Sequence, residues 1–109
     1  MTFNEYQKLA QRTINPELTW EQVRNHALFE MCSELGEIHS FFQKQYQGHP
    51  IDGTKLQKEI GDLLWGIAEL CTCGGFSMDD IAWQNIEKLR KRYPDGFSTE
   101  RSLHREENA

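Results

Sequence analysis

Two short segments of this chain combine residue types that are costly to place together. Glu34-Leu35-Gly36-Glu37 and Glu59-Ile60-Gly61-Asp62 each read acid, aliphatic, glycine, acid. Residues three apart share a helix face, so within a helix each segment points two carboxylates the same way. A mid-helix glycine costs about 1 kcal/mol relative to alanine. A like-charged neighbour on the same face adds on the order of 0.2–0.5 kcal/mol. With 17 acids in 109 residues one such pair means little, but two of the same form, in otherwise well-patterned segments, indicate a functional constraint. Four carboxylates in one groove would repel one another and raise some of their pKa values. A bound cation removes that cost. Donors that are all hard oxygens suit magnesium or manganese rather than zinc. A carboxylate-bridged di-iron bundle needs Glu-x-x-His on two helices, and His39 has the wrong spacing from both Glu34 and Glu37.

Helices must position these acids, and four stretches read as helical. The first runs from about Thr2 to Thr13, with Thr2 and Glu5 in capping-box relation. The second opens at Thr19 with Gln22 three residues on, carries the stripe Val23, Ala27, Met31, Leu35, Ile38 and Phe42, and ends before Gly48-His49-Pro50. The third begins near Thr54, with Gln57 in a third box, and stops at Gly74-Gly75; the fourth starts at Ser77 and is closed by Pro94-Asp95-Gly96. Short connections predict antiparallel packing, hence an all-α antiparallel bundle of about four helices. The domain spans 1–97, and 98–109 reads as a polar tail, flexible or packed on a partner subunit. Counted from the turn, the first acid pair sits about eleven residues deep and the second about six, a mismatch of ~7 Å along the axes. Fraying of helix two near Gln43–Tyr46, or an early start of helix three at Pro50, would close it.

Composition narrows the class. A net charge of -5 argues against a general nucleic-acid binder, but a divalent cation can stand between acidic side chains and an acidic small ligand. No apolar run approaches the ~20 residues of a membrane span. Cys32, Cys71 and Cys73, with no secretory signal at the start, fit a reduced, cytoplasmic protein. Cys71 and Cys73 alone make a weak zinc pair.

The two acid pairs, in this order and with this gap, resemble the signature of the MazG-like all-alpha nucleoside triphosphate pyrophosphohydrolases. A second block, Asn85-Ile86-Glu87-Lys88-Leu89-Arg90-Lys91-Arg92-Tyr93-Pro94, is similar to that family's Asn-x-x-Lys-Leu-x-x-Arg-Tyr-Pro segment, so the resemblance covers roughly residues 20 to 97. It implies magnesium-dependent cleavage between the α- and β-phosphates of a nucleoside triphosphate, giving a monophosphate and pyrophosphate. It implies metal binding and catalysis by Glu34, Glu37, Glu59 and Asp62, with manganese as a substitute ion, and phosphate or nucleotide contacts from Asn85, Lys88 and Arg92. It also implies a homodimer or a dimer of dimers that completes the bundle. The chain departs from the family at Gly66, where a tyrosine is common, and at Met31-Cys32, where Gly-Leu is common. Trp65, three residues after Asp62, and His26, about two turns before Glu34, are candidates to line the nucleotide site. Two alternatives remain: a non-catalytic helical dimerisation or regulatory protein, and a related hydrolase resembling the helical dUTPases or phosphoribosyl-ATP pyrophosphohydrolases.

Overall fold

Side-chain caps set the helix starts. In this computed structural model, which describes residues 1–105, Thr2 caps α1 (Phe3–Gln11) and Thr19 caps α2 (Trp20–Tyr46), each in a complete capping box with Glu5 or Gln22. Ser77 caps α4 (Met78–Arg92) by accepting from the Asp80 N–H. For α3 (Gly53–Gly74) the expected cap at Thr54 is replaced by Asp52, whose extended backbone lets its carboxylate accept from the Thr54 N–H at 3.0 Å. Gly75, with φ of 72°, ends α3; its N–H reaches the Thr72 carbonyl, and Phe76 N–H reaches that of Cys71. Residues 99–103 form a further short helix, α5 (Thr99–Leu103), capped by Ser98, where the sequence suggested an irregular tail. Arg101 donates to the carbonyls of Lys91 and Arg92, so α5 is tied back to the end of α4. The tail residues 106–109 lie outside the described part. No strand occurs among the described residues, and the fold is all-α, as the sequence indicates.

The central unit is the α2/α3 hairpin, the largest helix–helix contact in the chain. Its antiparallel register is marked by Cys73 against the Trp20 carbonyl, Glu69 against His26, and Gly66 against Met31 and Ala27. Neither remedy expected for the depth mismatch occurs: α2 stays helical to Tyr46, and α3 begins at Gly53, after Pro50. Carried to the turn, the register brings Gly53 level with residues near Phe41. The last turn of α2 therefore overshoots the start of α3, and residues 47–52 run back beside it, with Gly48 at a φ of 90° allowing the reversal.

Two polar side chains of α1 hold the α3–α4 turn. Gln7 donates to the Phe76 carbonyl at 2.8 Å and accepts from Met78 N–H at 2.9 Å, while Asn4 accepts from the Ser77 hydroxyl and Asp79 N–H. α4 packs mainly on α1, and its residues 83–91 are all exposed. The bundle is thus open. Its buried apolar residues are mostly small (Ala10, Val23, Ala27, Ala68, Cys71 and Met78), while Leu35 and Phe42 of the second helix's stripe stay exposed, as do Ile60, Ile67, Ile81, Ile86 and Leu89 on α3 and α4. The radius of gyration, 17.3 Å, exceeds the ~13 Å of a compact chain of about 100 residues. No described helix is long and apolar enough to cross a membrane.

At Gly66 the backbone of α3 lies directly against α2. A Cβ there would stand 2.7 Å from Met31 Cγ and 3.6 Å from the Ala27 carbonyl oxygen. Met31 thus fills the room that a side chain at position 66 would take. Gly66→Ala is expected to lower the melting temperature, at a cost of about 1–3 kcal/mol from overpacking. In a Met31→Ala background the same change should cost much less. Equal penalties in both backgrounds, read by thermal melts, would contradict this contact.

Candidate metal centre

α2 and α3 each deliver acids to one end of their groove. Single carboxylate oxygens of Glu34, Glu59 and Asp62 lie within 4.8 Å of one another, with Glu34 and Glu59 half-buried and Asp62 exposed. Glu34 and Glu59 sit close enough to share a proton. That hydrogen bond, together with burial and the charges of Glu59, Asp62 and Glu30, pushes the Glu34 carboxyl up to about 7. Its Oε2 is buried without a hydrogen-bond partner. A carboxylate with one orphaned buried oxygen, grouped with two further carboxylates, fits a divalent cation, and hard oxygen donors fit magnesium or manganese. On the other flank, burial and the charge of Asp62 raise the Tyr6 phenol, so α1 borders the same site.

The remaining sequence candidates divide into two groups. Glu37 is exposed, and its carboxylate stands outside the three-oxygen group. His26 and Trp65 meet edge-on in the α2/α3 groove, with ring centroids 5.9 Å apart, and the Trp65 Nε1–H donates to Thr13 Oγ1 at 2.7 Å. Asn85 and Lys88 lie on the exposed part of α4, with Asn85 beside Leu64, Ile67 and Met78. Arg92 is half-buried, with its Nε lacking a partner. Among the described residues neither Lys88 nor Arg92 forms an ion pair with the acids.

Sequence reasoning missed two residues. Glu30, four before Glu34 and on its face, adds negative charge to the cluster. Glu69, seven after Asp62, is buried and accepts from His26 Nδ1 at 2.9 Å. Glu30 follows the helical spacing of the first acid pair, which was the available signal; Glu69, a single acid within an apolar helix face, had none. Gly36 and Gly61 lie about 200° around their helices from Glu34 and Glu59, exposed, with nothing near where a Cβ would be. Their cost is not explained by room for the carboxylates.

The raised Glu34 value sets a pH dependence. Its folded pKa lies above the ordinary 4.5, so the folded metal-free state binds this proton more tightly than the unfolded chain does. The stabilisation is complete below about 4.5 and is lost as pH rises through about 7. Protein in chelator is expected to melt at a lower temperature near pH 8 than near pH 5, and millimolar Mn2+ or Mg2+ near pH 8 to restore the loss. Glu34→Gln should flatten both responses. A melting temperature near pH 8 that ignores both ions would count against a metal site here.

One comparison with known proteins gives a match: the MazG nucleotide pyrophosphohydrolase domain fits residues 17–97. No individual curated protein and no solved structure gives a significant match. The matched region includes both acid pairs, the α2/α3 register that joins them and the basic end of α4. It also covers most of the chain, which therefore belongs to the MazG nucleotide pyrophosphohydrolase domain family.

Proposed function

We propose that the chain is a magnesium- or manganese-dependent nucleoside triphosphate pyrophosphohydrolase that cleaves between the α- and β-phosphates. The observation that supports it most is the convergence of Glu34, Glu59 and Asp62 within 4.8 Å, with one Glu34 oxygen buried and unpartnered. These three carboxylates would hold the ion. When bound, it neutralises charge on the phosphate oxygens and on the departing pyrophosphate. Glu37, exposed and outside the group, is the uncommitted carboxylate on the same helix, and it orients the attacking water. The water oxygen bonds to the α-phosphorus, the bond to the bridging oxygen breaks, and the water's protons pass to Glu37 and solvent. Lys88 and Arg92 contact the phosphates, and Asn85, Trp65 and His26 the nucleotide.

The working unit is a homodimer or a dimer of dimers. Two features support this: the large apolar side chains left exposed on α2, α3 and α4, including Phe29 at 72% and Trp83 at 56%, and the lack, among the described residues, of any ion pair between Lys88 or Arg92 and the acids. A second copy can cover those faces and supply Asn85, Lys88 and Arg92 to the acidic end. Three free cysteines support a reduced, cytoplasmic setting.

Pyrophosphate release is expected from at least one member of a panel of ribo- and deoxyribonucleoside triphosphates, and only with divalent metal. Folded protein inactive on the whole panel would favour the non-catalytic dimerisation reading. Glu59→Gln is expected to cut turnover by at least about 100-fold, the scale of losing a key electrostatic group, with helical circular dichroism unchanged. Near-native activity in that variant would rule out the site assignment. Sedimentation should give a dimer or larger species at micromolar concentration; a stable monomer would contradict the assembly.

A further inference from the structure

Glu69 is the one buried charged residue among those described, 2% exposed. The proposed mechanism gives it no task. Removing a carboxylate from water costs several kcal/mol unless partners compensate, and an apolar residue would serve the core at least as well. Its partner is His26, whose Nδ1 lies 2.9 Å from Oε1 and 3.2 Å from Oε2. An ionised carboxylate only accepts, so Nδ1 carries the hydrogen, and in the neutral ring Nε2 is left as an acceptor. The ring is also held edge-on by Trp65, which Thr13 holds in turn. Half of the His26 side chain, 51%, is nevertheless exposed. With Nδ1 turned to the buried acid, the open side is that of Nε2.

The position of the pair gives this a use. Glu69 lies seven residues after Asp62 and on nearly the same side of α3. His26 lies eight residues before Glu34, roughly 12 Å along α2. The acidic end and the His26 end thus occupy one groove, separated by the Gly66–Met31 contact. That separation matches the reach of a nucleotide from its phosphates to its sugar or base.

We propose that Glu69 is a positioning residue that keeps His26 in its Nδ1–H form, so that Nε2 accepts a hydrogen bond from the nucleoside part of the substrate. The donor is a sugar hydroxyl or a base amino group. This rests on the nucleotide-hydrolase reading above and adds a selection for nucleoside triphosphates over bare triphosphate. Glu69→Gln is the informative change, because an amide can donate to Nδ1 and move the ring proton to Nε2 in nearly the same shape.

The test uses the full chain with Mn2+ and measures binding rather than turnover. The probes are α,β-imido ribo- and deoxyribonucleoside triphosphates, with amino-bearing and amino-free bases, and inorganic tripolyphosphate. Glu69→Gln should weaken binding of the preferred nucleotide about tenfold, the scale of one hydrogen bond, and leave tripolyphosphate affinity within about twofold. A loss confined to ribonucleotides identifies the 2′-hydroxyl, one confined to the amino-bearing bases adenine, cytosine and guanine identifies the amino group, and one shared by every nucleotide identifies the 3′-hydroxyl. Nitrogen-15 NMR of the neutral His26 ring should show the proton on Nδ1 in the native chain and on Nε2 in the variant. Glu69→Leu should repeat the binding pattern if the glutamine variant folds poorly. Native-like nucleotide binding in the variants, an equal loss for nucleotide and tripolyphosphate, or a native ring protonated on Nε2 would overturn the proposal. Absence of turnover with the binding pattern intact would sink the hydrolase reading alone; turnover without the pattern would sink the role of Glu69 alone.

Discussion

Like charges pressed together need a frame that does not yield, and the α2/α3 hairpin is that frame. Glu34 comes from α2, Glu59 and Asp62 from α3, and only the register between the two helices sets how closely their oxygens approach. That register is fixed by contacts between small groups. Gly66 lets the helix backbones close in around Met31, and Ala27 and Ala68 are almost fully buried nearby. Close backbone approach leaves little compliance, because neither glycine nor alanine has a rotamer to change. The repulsion at one end is thereby carried by packing further along the same helices.

The same use of small residues leaves the chain short of a conventional core. Its large apolar side chains face outward on the open sides of α2, α3 and α4. Exposed apolar surface on this scale marks an interaction face. The two mid-helix glycines point the same way, since both lie on exposed helix sides with empty space beside them. Burial by a second copy would give those faces, and that space, an occupant.

Much of this architecture was legible in the residues. The Thr2, Thr19 and Ser77 caps and the Gly74-Gly75 stop are local decisions made by side chains within a turn of the helix end, so sequence spacing captures them. Asp52 took the α3 cap from Thr54 because its carboxylate, in an extended segment, accepts from the Thr54 N–H two residues on and so starts the helix at Gly53. The depth mismatch between the acid pairs was real, but it was absorbed by an overshooting helix and a returning loop, a non-local arrangement that periodicity does not encode. The apolar stripes are only partly buried within the chain, because periodicity marks an apolar face without saying what covers it. Three of the four signature acids converge; Glu37, one turn from Glu34, does not join them. Glu69 was passed over because a single acid within an apolar helix face has no motif around it, and its partner lies 43 residues away.

The spacing between the Glu34 cluster and His26 has a consequence for how a ligand leaves. A molecule touching both ends of a rigid groove holds on partly because each contact raises the effective concentration of the other. Cutting the bond between the two contacts divides the ligand into fragments that each keep one foothold. The tether that made binding tight is then gone, without any part of the protein having to move. In such an arrangement the chemical step is also the signal for departure, and helix pitch alone sets the length of the ruler.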